Sequence, residues 1–157
     1  MAKRRLNLRD IKYSGKNCTV TINLSKYNRR IANAQKELDI AVMNSMLPFM
    51  PHNSGDFARD TRAKSTAMAG TGQVLAGKGP FGSYLYYGKV MVDRDTGRGP
   101  AFIPNLGLRF RKGARLVATD RPLTYSNPNA KPEWFEVANR KDLPVWIETV
   151  EQEIKGD

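Results

Sequence analysis

Apolar residues recur along this chain in two rhythms, and the rhythm changes near residue 25. Over residues 18–24 they alternate with polar ones: Cys18, Val20, Ile22 and Leu24 fall on one side, Thr19, Thr21 and Asn23 on the other. A period of two is that of a half-buried strand. From Tyr27 onward the period is helical. Tyr27, Ile31, Ala34, Leu38, Ala41, Val42 and Met46 mark one face, and Arg29, Arg30, Lys36 and Asp39 fall mostly outside it. Ser25 stands where an N-cap hydroxyl belongs. Pro48 disfavours helical geometry in the residue before it, so the helix should end by Leu47.

Beyond that helix the pattern weakens. The run Pro51-His52-Asn53-Ser54-Gly55-Asp56-Phe57 reads as a loop, with Gly55 free to take a positive φ. Residues 58–69 fit a short helix or a strand, with strand favoured from residue 62. Gln73–Ala76 and Ser83–Tyr87 are strand candidates, the second for its tyrosines. Gly88 then allows a bend into a strand over Lys89–Val92. Residues 93–133 are rich in Gly and Pro and read as a long loop or hairpin excursion, with a turn expected around Lys112-Gly113. Near the end, Glu133–Arg140 fits a short helix that buries Trp134 or Phe135. Asp142 is a fair N-cap for a separate last helix with Pro144 in its first turn and Trp146, Ile147, Val150 and Ile154 on its apolar face. These elements form one domain over residues 17–157, preceded by a flexible basic arm over residues 1–16.

Charge changes this picture. The 157 residues hold 26 Lys+Arg against 15 Asp+Glu, a net charge of +11. Such a chain is drawn to anionic surfaces, whether nucleic acid, an acidic partner or a membrane, although a well-solvated surface has the same composition. The arm contributes Lys3, Arg4, Arg5, Arg9, Lys12 and Lys16. A second cluster, Arg94, Arg98, Arg109, Arg111, Lys112 and Arg115, lies in the excursion. That stretch has few apolar residues to hold it on its own core, and ordering a residue costs about 1–2 kcal/mol of backbone entropy. It is therefore expected to order against a neighbour, an acidic partner or DNA. The single cysteine, Cys18, has no intrachain partner and suits a reducing compartment; its alternating context suggests a buried structural thiol over a reactive one. No apolar run approaches the roughly 20 residues of a membrane helix, and no apolar signal core follows the basic start. Synthesis in the cytosol is expected.

Residues for catalysis are sparse. The one histidine, His52, sits in a turn and is a poor general base for a serine nucleophile. No Cys/His cluster offers a zinc site. Gly70-Thr71-Gly72 does not continue as a dinucleotide fingerprint, and Gly77-Lys78-Gly79 lacks P-loop spacing. Asp93 and Asp95 lack the later acidic ligand of a calcium loop and read as turn residues. Tyr84, Tyr86 and Tyr87 suit core packing better than a base-stacking platform. No catalytic residue, cofactor or metal is expected.

The order of landmarks adds one further reading. A long amphipathic helix is followed by Pro51-x-x-Ser54-Gly55-x-Phe57, then Tyr84-Leu85-Tyr86-Tyr87-Gly88-Lys89-Val90-Met91-Val92-Asp93. Thr119-Asp120-Arg121-Pro122-Leu123-Thr124-Tyr125 and Lys131-Pro132-Glu133-Trp134-Phe135-Glu136-Val137-Ala138 come next, before a closing helix. From about residue 25 to residue 155 this series resembles the minor capsid or tail-completion proteins of long-tailed bacteriophages. The resemblance implies an α+β fold, a small antiparallel sheet packed by a long N-terminal helix and C-terminal helices, in a virion protein of the neck that is made in the bacterial host cytoplasm and forms a ring of six copies. Its partners would be the head connector, the tail terminator or tube, and the genome DNA in the channel, with no membrane. On that reading Arg94, Arg98, Arg109, Arg111, Lys112 and Arg115 are assembly or DNA-channel contacts, while Ser54, Gly55, Trp134 and Phe135 are structural. A free basic nucleic-acid-binding protein is the alternative.

Overall fold

The computed structural model describes residues 6–51, 56–77 and 82–156. Ser54, Gly55 and His52 lie outside them. The architecture is α+β, with a long helix near each end of the chain and three two-stranded antiparallel ribbons instead of one sheet.

The long helix α1 spans Ser25–Met46. Its first residue is Ser25 itself, and Leu24 is the cap; the Ser25 amide donates to Asn23 Oδ1 at 2.9 Å. It gives way at Leu47 to a 3-10 turn, Leu47–Phe49, that carries Pro48. Helix α2 spans Asp56–Ala67, where a strand was favoured from residue 62. Its buried face is Ala58, Thr61 and Ser65, at helical spacing but made of small residues, so it left little apolar rhythm to read. The fourth helix, α4, runs unbroken over Trp134–Lys155, with Pro144 inside it, where two helices were expected. Proline removes one hydrogen bond to the carbonyl four residues earlier. Arg140 and Pro144 are both exposed, so water can satisfy that carbonyl.

The core is the seam between α1 and α4, the most extensive packing in the molecule. Val42, Met43, Met46, Met50, Ala58, Trp134, Ala138 and Trp146 are buried together. Trp134 has no exposed surface and donates Nε1–H to the Ala76 carbonyl at 2.7 Å. Phe57 and Tyr86 meet its ring edge-to-face, at 6.1 and 5.0 Å between centroids. Trp146 stacks on Phe135 and donates to Ser45 Oγ at 3.1 Å. Thus Trp134 is the deep anchor, and Phe135 is half-buried beside it.

Two expected strands take other forms. Residues 73–76 are loop: the Leu75 amide donates to Ser65 Oγ, and the Ala76 carbonyl serves Trp134. Ser83–Tyr87 lies in a short helix, α3, over Gly82–Tyr87. Its consecutive apolar residues never alternated, and the helical turn places Tyr86 against Trp134. Gly88 then turns the chain at φ +62°, into β3 over Lys89–Asp93.

Two ribbons remain. β1 (Ile11–Ser14) pairs with β2 (Thr19–Ile22), so the basic arm expected over residues 1–16 contains a paired strand. Both strands are exposed on both faces, and Cys18 is exposed, not buried as its alternating context suggested. The excursion over 93–133 holds three strands: β4 (Ala101–Ile103), β5 (Gly107–Arg109) and β6 (Leu116–Pro122). β6 returns to pair with β3, and β4 pairs with β5.

Candidate assembly interface

The cationic cluster of the excursion is carried on one hairpin module between β3 and β6. The module starts with a tight turn. The Asp93 amide donates to the Arg98 carbonyl at 2.8 Å, and the Gly97 amide to the Asp93 carbonyl at 2.7 Å, with Gly97 at φ +66°. The Asp93 carboxylate is almost wholly shielded and accepts from the Asp95 amide at 3.1 Å and the Thr96 hydroxyl at 3.2 Å. β4 leads out, Asn105 and Gly107 turn the chain at φ 65° and 70°, and β5 leads back, with Phe102 opposite Leu108. The hairpin tip therefore lies at Pro104–Leu106. Lys112-Gly113, where the turn was expected, forms the bend between β5 and β6, closed by the Ala114 amide on the Arg111 carbonyl at 3.1 Å.

Arg111 closes the base. Its guanidinium donates to both oxygens of Asp93 and, at 2.7 Å, to Asp95 Oδ2. This clamp ties the start of the module to its end. The Arg111 hydrogen bond is the main reason the Asp93 carboxyl is held below the ordinary aspartate range; burial opposes it, and the Asp95 amide and Thr96 hydroxyl reinforce it. The same contacts raise the Arg111 pKa. Sequence reading placed Asp93 and Asp95 in a turn, as observed, but grouped Arg111 with surface contacts; its partners lie 16 and 18 residues away, beyond local pattern.

The other predicted contacts are distributed around this base. Arg94, Arg98, Arg109, Lys112 and Arg115 are all exposed. The Arg94 amide donates to the Arg115 carbonyl at 2.7 Å, which brings the two ends of the cluster side by side. Between residues 93 and 115 six cations stand against two carboxylates, and Arg111 engages both carboxylates. The tip is apolar. Phe102 is 73% exposed and Leu106 58%. Phe102 was not singled out from sequence, although the Pro104-Asn105-Leu106-Gly107 turn between two short apolar runs is a hairpin signal.

A groove of about 710 Å³ lies elsewhere, between α1, the 72–77 loop, α3 and Phe135. Its carboxylate, Asp39, is buried and accepts from the Gly70 and Gly72 amides at 2.8 and 3.0 Å and from Gln35 Nε2 at 2.8 Å. Those bonds make Asp39 an anchor for the loop. Among the described residues no group of three His, Cys, Asp or Glu side chains could hold a metal ion, and no helix is long and apolar enough to cross a membrane. No family profile, curated protein or solved structure matches the chain.

Proposed function

We propose that this chain is a structural subunit of a bacteriophage neck, a tail-completion or head–tail joining protein that forms a ring around the DNA channel between head connector and tail. The observation that carries the reading is the hairpin module: an exposed apolar tip on a base with surplus cations and an internal clamp. An apolar tip fits a pocket on a neighbouring protein. Surplus cations beside it favour a phosphate-lined channel or an acidic partner. The ordered landmarks from residue 25 to residue 155, which resemble the tail-completion proteins, support the same reading.

The test is assembly. Particles made without this protein should accumulate as unjoined heads and tails, and supplying it should restore joining. Normal infectious particles in its absence would falsify the neck reading. The same cations suit a free nucleic-acid-binding protein. Micromolar or tighter DNA binding by the isolated chain, lost steeply as salt rises, together with normal particles in its absence, would favour that alternative.

A further inference from the structure

The base of the hairpin module has its negative charge neutralised from within. Arg111 takes up both carboxylates of the stretch, Asp93 and Asp95. What is left over is cationic. Arg94, Arg98, Lys112 and Arg115 are exposed, and among the described residues none of their side chains has a partner. Clustered like charges repel one another, so the arrangement is unfavourable in the free chain and favourable beside an anion from outside.

Backbone contacts bring these four residues together. β3 and β6 pair as far as Asp93 and Leu116, and the bond from the Arg94 amide to the Arg115 carbonyl carries the ladder one pair further. Opposed positions set their Cβ atoms about 5 Å apart. The Asp93 amide, bonded to the Arg98 carbonyl, holds Arg98 beside the same pair. Lys112 follows Arg111, which is fixed on Asp93 and Asp95. The clamp thus joins residues 93–98 to residues 111–115 and keeps the two halves of the cluster side by side.

The residues around them select the anion. From Arg94 to Pro100 and from Arg111 to Arg115 there is no aromatic and no large aliphatic side chain. A Cβ added at Gly97, Gly99 or Gly113 would meet nothing within 4 Å, so the backbone there is open to close approach. An acidic protein partner calls for apolar anchors at the centre of the contact. A single nucleic-acid strand calls for aromatic side chains on which its bases stack. The phosphates of a duplex call for neither, only for arginine forks, lysine charges and room to approach. We propose that the Asp93–Arg111 clamp presents Arg94, Arg98, Lys112 and Arg115 as one face that binds the phosphate backbone of double-stranded DNA without reading its sequence.

Asp93 and Arg111 act here as positioning residues, since the clamp uses up their charges and leaves the contact to the other four. The apolar tip, with Phe102 and Leu106, lies at the far end of β4 and β5 and stays free for a protein neighbour. That the duplex is the genome in a channel rests on the neck reading; the contact itself does not.

Fluorescence anisotropy of the full-length chain with a labelled DNA duplex of arbitrary sequence, repeated over a range of salt, tests this. Arg94→Gln/Arg98→Gln/Arg115→Gln should weaken binding at least about tenfold and make the slope of log K against log salt shallower by about 2.7, with Tm unchanged. Lys12→Gln/Lys16→Gln on the β1–β2 ribbon should do far less; an equal loss there would mean general charge attraction and would overturn the proposal. Asp93→Asn separates presentation from charge. It removes a negative charge, so simple attraction predicts tighter binding. A face held by the clamp predicts binding about threefold or more weaker, with a shallower slope. Tighter binding overturns the role of the clamp. Polyglutamate, the single strand or anionic phospholipid vesicles competing as well as the duplex, at equal charge, would overturn the choice of partner. If the duplex does not bind, yet heads and tails stay unjoined without the protein, the inference falls and the neck reading stands. If the duplex binds as stated and particles are normal without the protein, the inference stands and the neck reading falls.

Discussion

The helical body and the two exposed ribbons use apolar residues in opposite ways. In the body, α1 and α4 turn Val42, Met43, Met46, Trp134, Ala138 and Trp146 toward each other, and each indole N–H finds an acceptor. In the ribbons Ile11, Tyr13, Val20, Ile22, Phe102 and Leu106 stay in water. Two long helices can bury a stripe against each other, whereas a two-stranded ribbon has no second layer of its own. The body is therefore stabilised within one chain, while these ribbon side chains keep roughly half or more of their surface in water.

The contrast makes unequal predictions. The largest effect belongs to the body: Trp134→Ala should cost about 3–5 kcal/mol, because it removes a fully buried ring, its hydrogen bond to Ala76 and two edge-to-face contacts. Chemical denaturation should show it as a lower midpoint at similar slope. Phe102→Ala should leave the midpoint nearly unchanged; an equal loss at the two positions would break the comparison.

Gly88 comes next. It sits at φ +62°, and an added Cβ would come within 2.9 Å of Pro132 Cβ and 3.0 Å of Tyr125 Oη. Tyr125 cannot withdraw cheaply, since its hydroxyl donates to the Leu85 carbonyl. Gly88→Ala should cost about 2 kcal/mol from strain and overpacking. A melting temperature equal to the wild type would show that the loop over residues 123–133 yields.

The clamp of the hairpin module should have a more local effect. Asp93→Asn should speed hydrogen exchange over residues 98–111 and leave α1 and α4 protected. The Asp93 carboxyl ionises more readily in the folded chain than in the unfolded one, so the unfolded chain binds more protons between the two pKa values. The clamp's contribution is thus complete above the ordinary aspartate value of 3.8 and is lost as pH falls through the lower folded value. Wild type and Asp93→Asn should converge in exchange rate at the acid end of that window. A difference that persists unchanged there would assign the effect to shape and not to charge.

The smallest effect on stability belongs to the exposed cations. Arg94→Glu, Arg98→Glu and Lys112→Glu combined should shift unfolding free energy by no more than about 0.5 kcal/mol per site, yet block head–tail joining. Arg111 is left out because it holds Asp93 and Asp95. Normal joining by this triple variant would remove the module's base from the interface.

Local pattern determined the elements whose burial follows a regular period. The apolar face from Tyr27 to Met46 was long enough to mark α1, and Pro48 marked its end. Val90 and Val92 marked β3, and the aromatic pair Trp134-Phe135 marked the deep anchor of α4. The frequency of turn residues after Asp93 foretold a hairpin, and the charge count foretold a basic one. Only the tertiary structure decided the rest. Tyr84–Tyr87 became helical because Trp134 offers Tyr86 an edge-to-face partner, a contact across 48 residues that outweighs strand preference. Pro144 stayed inside one helix because α4 is held on both sides of it, by Trp134 and Ala138 in the core before it and by Ser45 on Trp146 and Arg30 on the Ile154 and Lys155 carbonyls after it, and that packing outweighs one lost hydrogen bond. The alternation at residues 18–24 marked β2 but not its pairing with β1, since a period of two states that one face is apolar and is silent on which segment pairs with the strand. Arg111 could not be told from its exposed neighbours by sequence, because its role depends on two carboxylates brought to it by a turn and a hairpin.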